Sequence, residues 1–183
     1  MVGTKLERKI MYDVIYADPP WKQTKGGKRN VRKNQGRELD YPVISLGEIE
    51  KILKGFDGQT LFMWAIDKYL IEAHEIANRL GYKLHARLIW DKQNGVAPAF
   101  TIRYSHEYLL WFYKSPMAKI AKDMRGKLTT VMREKATKHS KKPECAYRMI
   151  ERFYPQETKV ELFARNTREG WDSWGNEITA NTR

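Results

Sequence analysis

The sequence predicts an α/β fold built on a mostly parallel, doubly wound sheet, and three observations carry that reading. Residues 60–66 (TLFMWAI) form a continuous apolar run of strand length, the pattern of a strand covered on both faces. Residues 45–53 and 143–153 place apolar side chains at helical spacing behind clear start signals, while residues 12–17 end abruptly at two prolines. Strand and helix patterns alternate along the chain, as a doubly wound sheet requires.

Taken in order, residues 1–11 are a polar lead with little periodicity, expected to be a frayed end or a short edge element. Residues 12–17 (YDVIYA) read as a buried strand that stops at Asp18-Pro19-Pro20-Trp21, because proline cannot donate to a ladder. The Asp18 carboxylate therefore sits at a strand's carboxyl end, where open α/β sheets bind ligands. Consecutive prolines fix φ and restrict the residues before them, so the carbonyls of this loop point in set directions. A carboxylate, a rigid prolyl carbonyl and an aromatic face in succession suit a flat ring bearing an amino group. A proline turn beside a core tryptophan is the plainer reading of the same residues.

Residues 22–40 are polar, contain Gly26, Gly27 and Gly36, and exceed an ordinary connection. They are expected to be a mobile flap that orders over the substrate. Ser45 and Glu48 have capping-box spacing, with Ile49, Ile52 and Leu53 sharing one helical face behind them. Gly55 and an Asp57-Gly58 turn are expected to end that helix. Beyond the strand at 60–66, Asp67 is expected to cap a helix to Leu80, with Leu70, Ala73, His74 and Ala77 at helical spacing and Gly81 closing it. Residues 82–92 and 104–113 read as two strands joined by a loop holding Gly95 and Pro98. Residues 128–132 are β-prone, Lys142-Pro143 introduces a helix to Phe153 with Ala146, Met149 and Ile150 at its apolar positions, and residues 159–163 (KVELF) are the last clear strand.

A chain of 183 residues, 42% hydrophobic and 12% aromatic, suits a single domain covering residues 1–183. No apolar run approaches the roughly 20 residues that span a bilayer, and the N-terminal MVGTKLERKIMYD lacks an apolar signal core, so a soluble cytoplasmic protein is expected. The lone cysteine, Cys145, excludes an internal disulfide and is expected to be a small buried hydrophobe. His74, His85, His106 and His139 follow no metal-ligand spacing, and no metal is called for.

The net charge of +12 is confined to two stretches. Residues 22–37 hold seven basic and no acidic residues, and residues 114–142 hold ten basic and two acidic, which leaves the rest of the chain at −3. Clustered lysine and arginine are the footprint of a polyanion binder, although most charge runs are solvated faces. The first stretch begins immediately after Trp21, which favours nucleic-acid contact by Lys22, Lys25, Lys28, Arg29, Arg32 and Lys33, with Arg133 and Lys138 from the second.

Residues 13–21 (DVIYADPPW) resemble the catalytic motif of the MT-A70 family of adenine N6-methyltransferases. Further segments match in the family's order: 41–49 (YPVISLGEI), 61–64 (LFMW), 88–95 (LIWDKQNG), His106-Glu107, Lys142-Pro143, 161–165 (ELFAR) and 170–177 (GWDSWGNE). The resemblance implies a single Rossmann-like class I methyltransferase domain in circularly permuted order, with the catalytic strand first and the cofactor strand last. Its sheet would include an antiparallel final pair, which residues 82–92 and 104–113 would form. The usual glycine-rich fingerprint is missing after the last strand, where the first glycine is Gly170.

The resemblance also implies S-adenosylmethionine as cofactor and nucleic acid as partner. The compact size and the lack of an appended domain that would read RNA favour DNA over RNA, and a monomer or homodimer is expected. Asp18, Pro19, Pro20 and Trp21 would be catalytic. Asp18 would lie near the methionine amino group, Lys142 toward its carboxylate, Glu161 toward the ribose, Arg165 near ribose or carboxylate, and Asn176 and Glu177 near the adenosine. For Glu107, an orienting role and a structural ion-pair role stand side by side. The loop at 165–171 is shorter than in better-known eukaryotic members, so no contact is carried onto Asn166, Thr167 or Arg168. The chain length suggests short or relaxed sequence specificity; RNA methylation and a noncatalytic nucleic-acid-binding subunit are the alternatives.

Overall fold

The computed structural model describes residues 9–22, 44–96, 102–137 and 141–175. Seven strands form one sheet: β1 (Ile10–Ala17), β2 (Phe56–Ala65), β3 (Lys83–Asp91), β4 (His106–Tyr113), β5 (Val131–Arg133), β6 (Lys159–Leu162) and β7 (Asp172–Trp174). Their spatial order is β5-β3-β4-β2-β1-β6-β7. The β1–β2, β1–β6, β3–β5 and β6–β7 ladders are parallel, whereas β4 runs antiparallel to both β2 and β3. The expected pairing of residues 82–92 with 104–113 is present, and β5 lies outside it. The result is a mostly parallel Rossmann-like sheet with β1 near its centre.

Helices α1 (Leu46–Lys54) and α2 (Leu70–Arg79) cover one face, and α3 (Glu144–Phe153) covers the other. The pleat of the strands sorts their side chains between these layers. Ile15, Ala17, Leu61, Met63, Leu110 and Phe112 pack with Ile49, Leu53, Ala73 and Ile76. Val14, Tyr16, Phe62, Trp64, Leu109 and Trp111 pack with Ala146, Met149, Ile150 and Phe153. Residues 117–124 lie over the second layer as a strap, with Met124 buried, Ile120 packed against the core and the Ala121 N–H bonded to the Phe153 carbonyl at 2.9 Å.

Ser45 and Glu48 make the reciprocal capping box that their spacing predicts, and Gly55 caps the other end of α1. The expected Asp57-Gly58 turn is instead part of β2. A Cβ on Gly58 would meet the Tyr12 carbonyl and the Ile15 side chain at 3.0 Å, so this glycine serves close approach of β1. Asp67 makes no side-chain cap. It opens a 3₁₀ turn (Asp67–Tyr69) that precedes α2 and places Tyr69 in the core. Residues 159–163 are not the last strand, because β7 follows in parallel register with β6; β6 itself stops at Leu162, where Phe163 takes a left-handed φ of 63°.

Candidate active site

The parallel strands β1, β2, β3 and β6 deliver their carboxyl ends to one edge, and antiparallel β4 begins at that edge. Trp90 therefore pairs with Glu107, and Asp91 with His106. Lys142 enters the same edge one residue before Pro143, the N-cap of α3. These elements wall a cavity of about 450 Å³, lined by Asp18, Pro19, Pro20, Trp21, Lys92, Asn94, Arg103, Glu107, Lys141, Lys142 and Arg165 among others. That volume lies in the range of small-molecule and cofactor sites.

Four charged side chains alternate along the wall. Lys142 Nζ is 2.9 Å from Asp18 Oδ1 and 3.1 Å from Glu107 Oε2, and Lys92 Nζ is 2.5 Å from Glu107 Oε1. Lys142 and Glu107 are only 11% and 14% exposed, so each charge depends on its neighbours for compensation. Burial lowers the Lys142 pKa, but the Asp18 and Glu107 carboxylates outweigh it and leave it above the usual lysine value. Burial pushes the Asp18 carboxyl up from its ordinary value, with Lys142 opposing. Burial likewise raises Glu107, but its two lysines hold it below the usual carboxylate value. Glu107 is thus an ion-pair partner of two lysines, the second of the roles left open by the sequence, and it lines the cavity.

The prolyl loop is fixed locally. The Trp21 N–H donates to the Pro19 carbonyl at 2.8 Å, and the Trp21 indole Nε1 donates to the Trp64 carbonyl at 2.9 Å. The Trp21 ring stacks on Tyr69 at 5.3 Å between centroids and belongs to the α1–α2 layer, although it also contributes to the cavity lining.

Arg165 lines the cavity and favours the ionised form of Asp18. Glu161 pairs in register with Tyr16 but does not line the cavity; the Tyr147 hydroxyl donates to its Oε1 at 2.8 Å. Burial pushes the Glu161 carboxyl up to about 7, against the Tyr147 hydrogen bond that lowers it. Lys22 is exposed, and its carbonyl accepts the Tyr69 hydroxyl at 2.7 Å. Arg133 is exposed on β5, in register with Asp91 beside the cavity. The site residues Lys25, Lys28, Arg29, Arg32, Lys33, Lys138, Asn176 and Glu177 lie outside the described residues.

Cys145 is half-buried rather than buried, packed against the rim of the α3 layer. Burial and the neighbouring Glu134 carboxylate raise its thiol to about 11. The sequence reading missed Lys92 and Asn94, although the quoted LIWDKQNG contains both. Arg168 was also missed; it pairs with Glu144 and Glu151 at 2.7 Å and ties the loop at 165–171 to α3.

The fold is a Rossmann-like sheet in which a carboxylate, two prolines and a tryptophan close a central strand beside a charged cavity. The family model described as MT-A70 matches residues 12–177, and the chain belongs to the MT-A70 family of methyltransferases. The type II methyltransferase M.MunI of Mycoplasma sp is 32% identical over 98% of this chain and 83% of its own length. The putative N(6)-adenosine-methyltransferase MT-A70-like protein of Medicago truncatula is 29% identical over 92% of this chain. The human N(6)-adenosine-methyltransferase catalytic subunit METTL3 is 25% identical over 91%. The match covers 26% and 28% of those two longer relatives.

Proposed function

We propose that the chain methylates N6 of adenine in DNA, using S-adenosylmethionine, with short or relaxed sequence specificity. The observation that carries this reading is the Asp18–Lys142 pair at the carboxyl end of β1, inside the cavity. An amino-acid moiety has one carboxylate and one ammonium, which Lys142 and Asp18 complement in charge, so these residues fit the cofactor. Arg165 offers a further cation to the carboxylate, and Glu161, once ionised, would accept ribose hydroxyls.

Bound there, the cofactor supplies an electrophilic methyl group on sulfur. The protein's own task is to present the nucleophile. The lone pair of adenine N6 is delocalised into the ring, and acceptors at its two N–H hydrogens favour the pyramidal nitrogen needed for attack. Asp18 and the Pro19 carbonyl are the proposed acceptors. Their rigidity makes this a matter of orientation and fixed electrostatics, with no covalent enzyme intermediate. A target in a duplex must leave the stack, at a cost of a few kcal/mol, or be single-stranded already.

DNA is favoured because the mycoplasmal relative is matched over most of its length. RNA is the second reading, favoured by the adenosine-methyltransferase names of the eukaryotic relatives. The deciding experiment is transfer of labelled methyl groups to duplex DNA, single-stranded DNA and RNA, with nucleoside analysis of the product. N6-methyladenine in DNA, abolished in Asp18→Ala, is the expected result. The same product in RNA alone selects the second reading, and cofactor binding without transfer to any substrate selects a noncatalytic role.

A further inference from the structure

Pro143, the N-cap of α3, has no side chain able to accept the first free N–H groups of the helix. They are met from ten residues upstream. Glu134 accepts the Glu144 N–H at 2.8 Å through Oε1 and the Cys145 N–H at 2.9 Å through Oε2. Burial works to raise this carboxyl, and the two backbone bonds hold it below its usual value. A helix N-terminus favours a carboxylate both by hydrogen bonding and by the helix dipole.

The backbone of the same residue is anchored to the far wall of the cavity. The Glu134 carbonyl accepts the Trp90 indole N–H at 2.7 Å, its N–H reaches the Asp91 carbonyl at 3.4 Å, and the Ala136 N–H donates to the Lys92 carbonyl at 2.9 Å. Glu134 therefore clamps the end of β3 to the start of α3. Between those two points lies the charged chain from Lys92 through Glu107 and Lys142 to Asp18.

We infer that Glu134 is a positioning residue for Lys142: by capping α3 from the residue after β5 it sets the distance of the lysine from Asp18 and Glu107, and so the affinity for the cofactor's carboxylate end. The inference rests on the reading that Lys142 faces that carboxylate. Glu134 does not line the cavity, so it acts through the helix start and not by contact.

The test is calorimetric titration of the intact protein with S-adenosylmethionine, with parallel thermal unfolding, for wild type, Glu134→Ala and Glu134→Gln. Loss of a helix cap corresponds to about a fivefold change in an equilibrium constant. Glu134→Ala is expected to weaken cofactor binding by up to about fivefold and to raise the KM for cofactor, while the KM for nucleic acid stays unchanged. Glu134→Gln keeps one acceptor oxygen and is expected to recover part of the affinity. As a control for stability alone, Ile76→Ala in the opposite layer is expected to lower the unfolding midpoint while the folded protein keeps its cofactor affinity. Wild-type affinity in a folded Glu134→Ala protein overturns the inference, as does equal loss in Ile76→Ala. Failure of wild type itself to bind cofactor overturns the reading beneath it.

Discussion

The two faces of the sheet use the same strands differently. On the α1–α2 face, Ile15, Leu61, Met63 and Leu110 meet Ile49, Leu53, Ala73 and Ile76, a largely aliphatic layer. On the α3 face, Tyr16, Trp64, Trp90 and Trp111 meet helix and strap, and this layer runs at the carboxyl edge into the Asp18–Lys142–Glu107–Lys92 chain. Alternation along β1 makes the division: Ile15 and Ala17 serve one layer, Val14 and Tyr16 the other. The α1–α2 face supplies cohesion and, through Trp21, part of the cavity wall; the other supplies cohesion together with polar groups whose cost of burial is offset by mutual pairing.

The largest effect expected from breaking this division is on chemistry. Asp18→Ala should lower methyl transfer by about 10²- to 10³-fold, the loss seen when a positioned electrostatic group is removed, with little change in the unfolding midpoint. Lys142→Met should affect both properties, because it leaves Asp18 and Glu107 buried without their shared cation. Urea denaturation is expected to show a loss of about 3 kcal/mol, accompanied by weakened cofactor binding. On the opposite face, Ile76→Ala should cost a similar amount, about 3 kcal/mol, through the cavity it leaves, yet preserve cofactor affinity in the folded protein.

Smaller effects sharpen the same comparison. Glu161 has its pKa raised by burial from 4.5 to about 7, so the folded state holds its proton more tightly than the unfolded state does. Its contribution to stability is therefore present at low pH and declines as pH rises from about 4.5 through about 7. Cofactor affinity should move the opposite way and tighten as the carboxyl ionises through about 7. Titrations at several pH values check both trends, and Glu161→Gln should remove them. Smallest of all, Arg133→Ala should reduce the slope of log K against log salt for nucleic-acid binding by about 1, as expected for one lost phosphate contact.

Much of this was legible in the sequence for physical reasons. The capping box at Ser45 and Glu48 is a local signal, and the apolar run at 60–66 has to be buried wherever it lies. Asp18 could be placed at a sheet edge because prolines end the strand before it. Partners set by tertiary register were less legible. Lys92 meets Glu107 because β3 and β4 are antiparallel, and Glu134 caps a helix that starts ten residues further along the chain. The three residues of β7 carry no apolar alternation, and their strand exists through its ladder with β6. Asp57-Gly58 looked like a turn because the glycine's service to a close strand contact leaves the same mark as a bend.

The most direct measurement pairs methyl transfer per folded molecule with the unfolding midpoint, for Asp18→Ala beside Ile76→Ala. A site on one face of a shared scaffold predicts that Asp18→Ala loses transfer and keeps its midpoint, while Ile76→Ala loses midpoint and keeps transfer. Wild-type transfer by Asp18→Ala, or loss of both properties together in Ile76→Ala under conditions where it is folded, would contradict it.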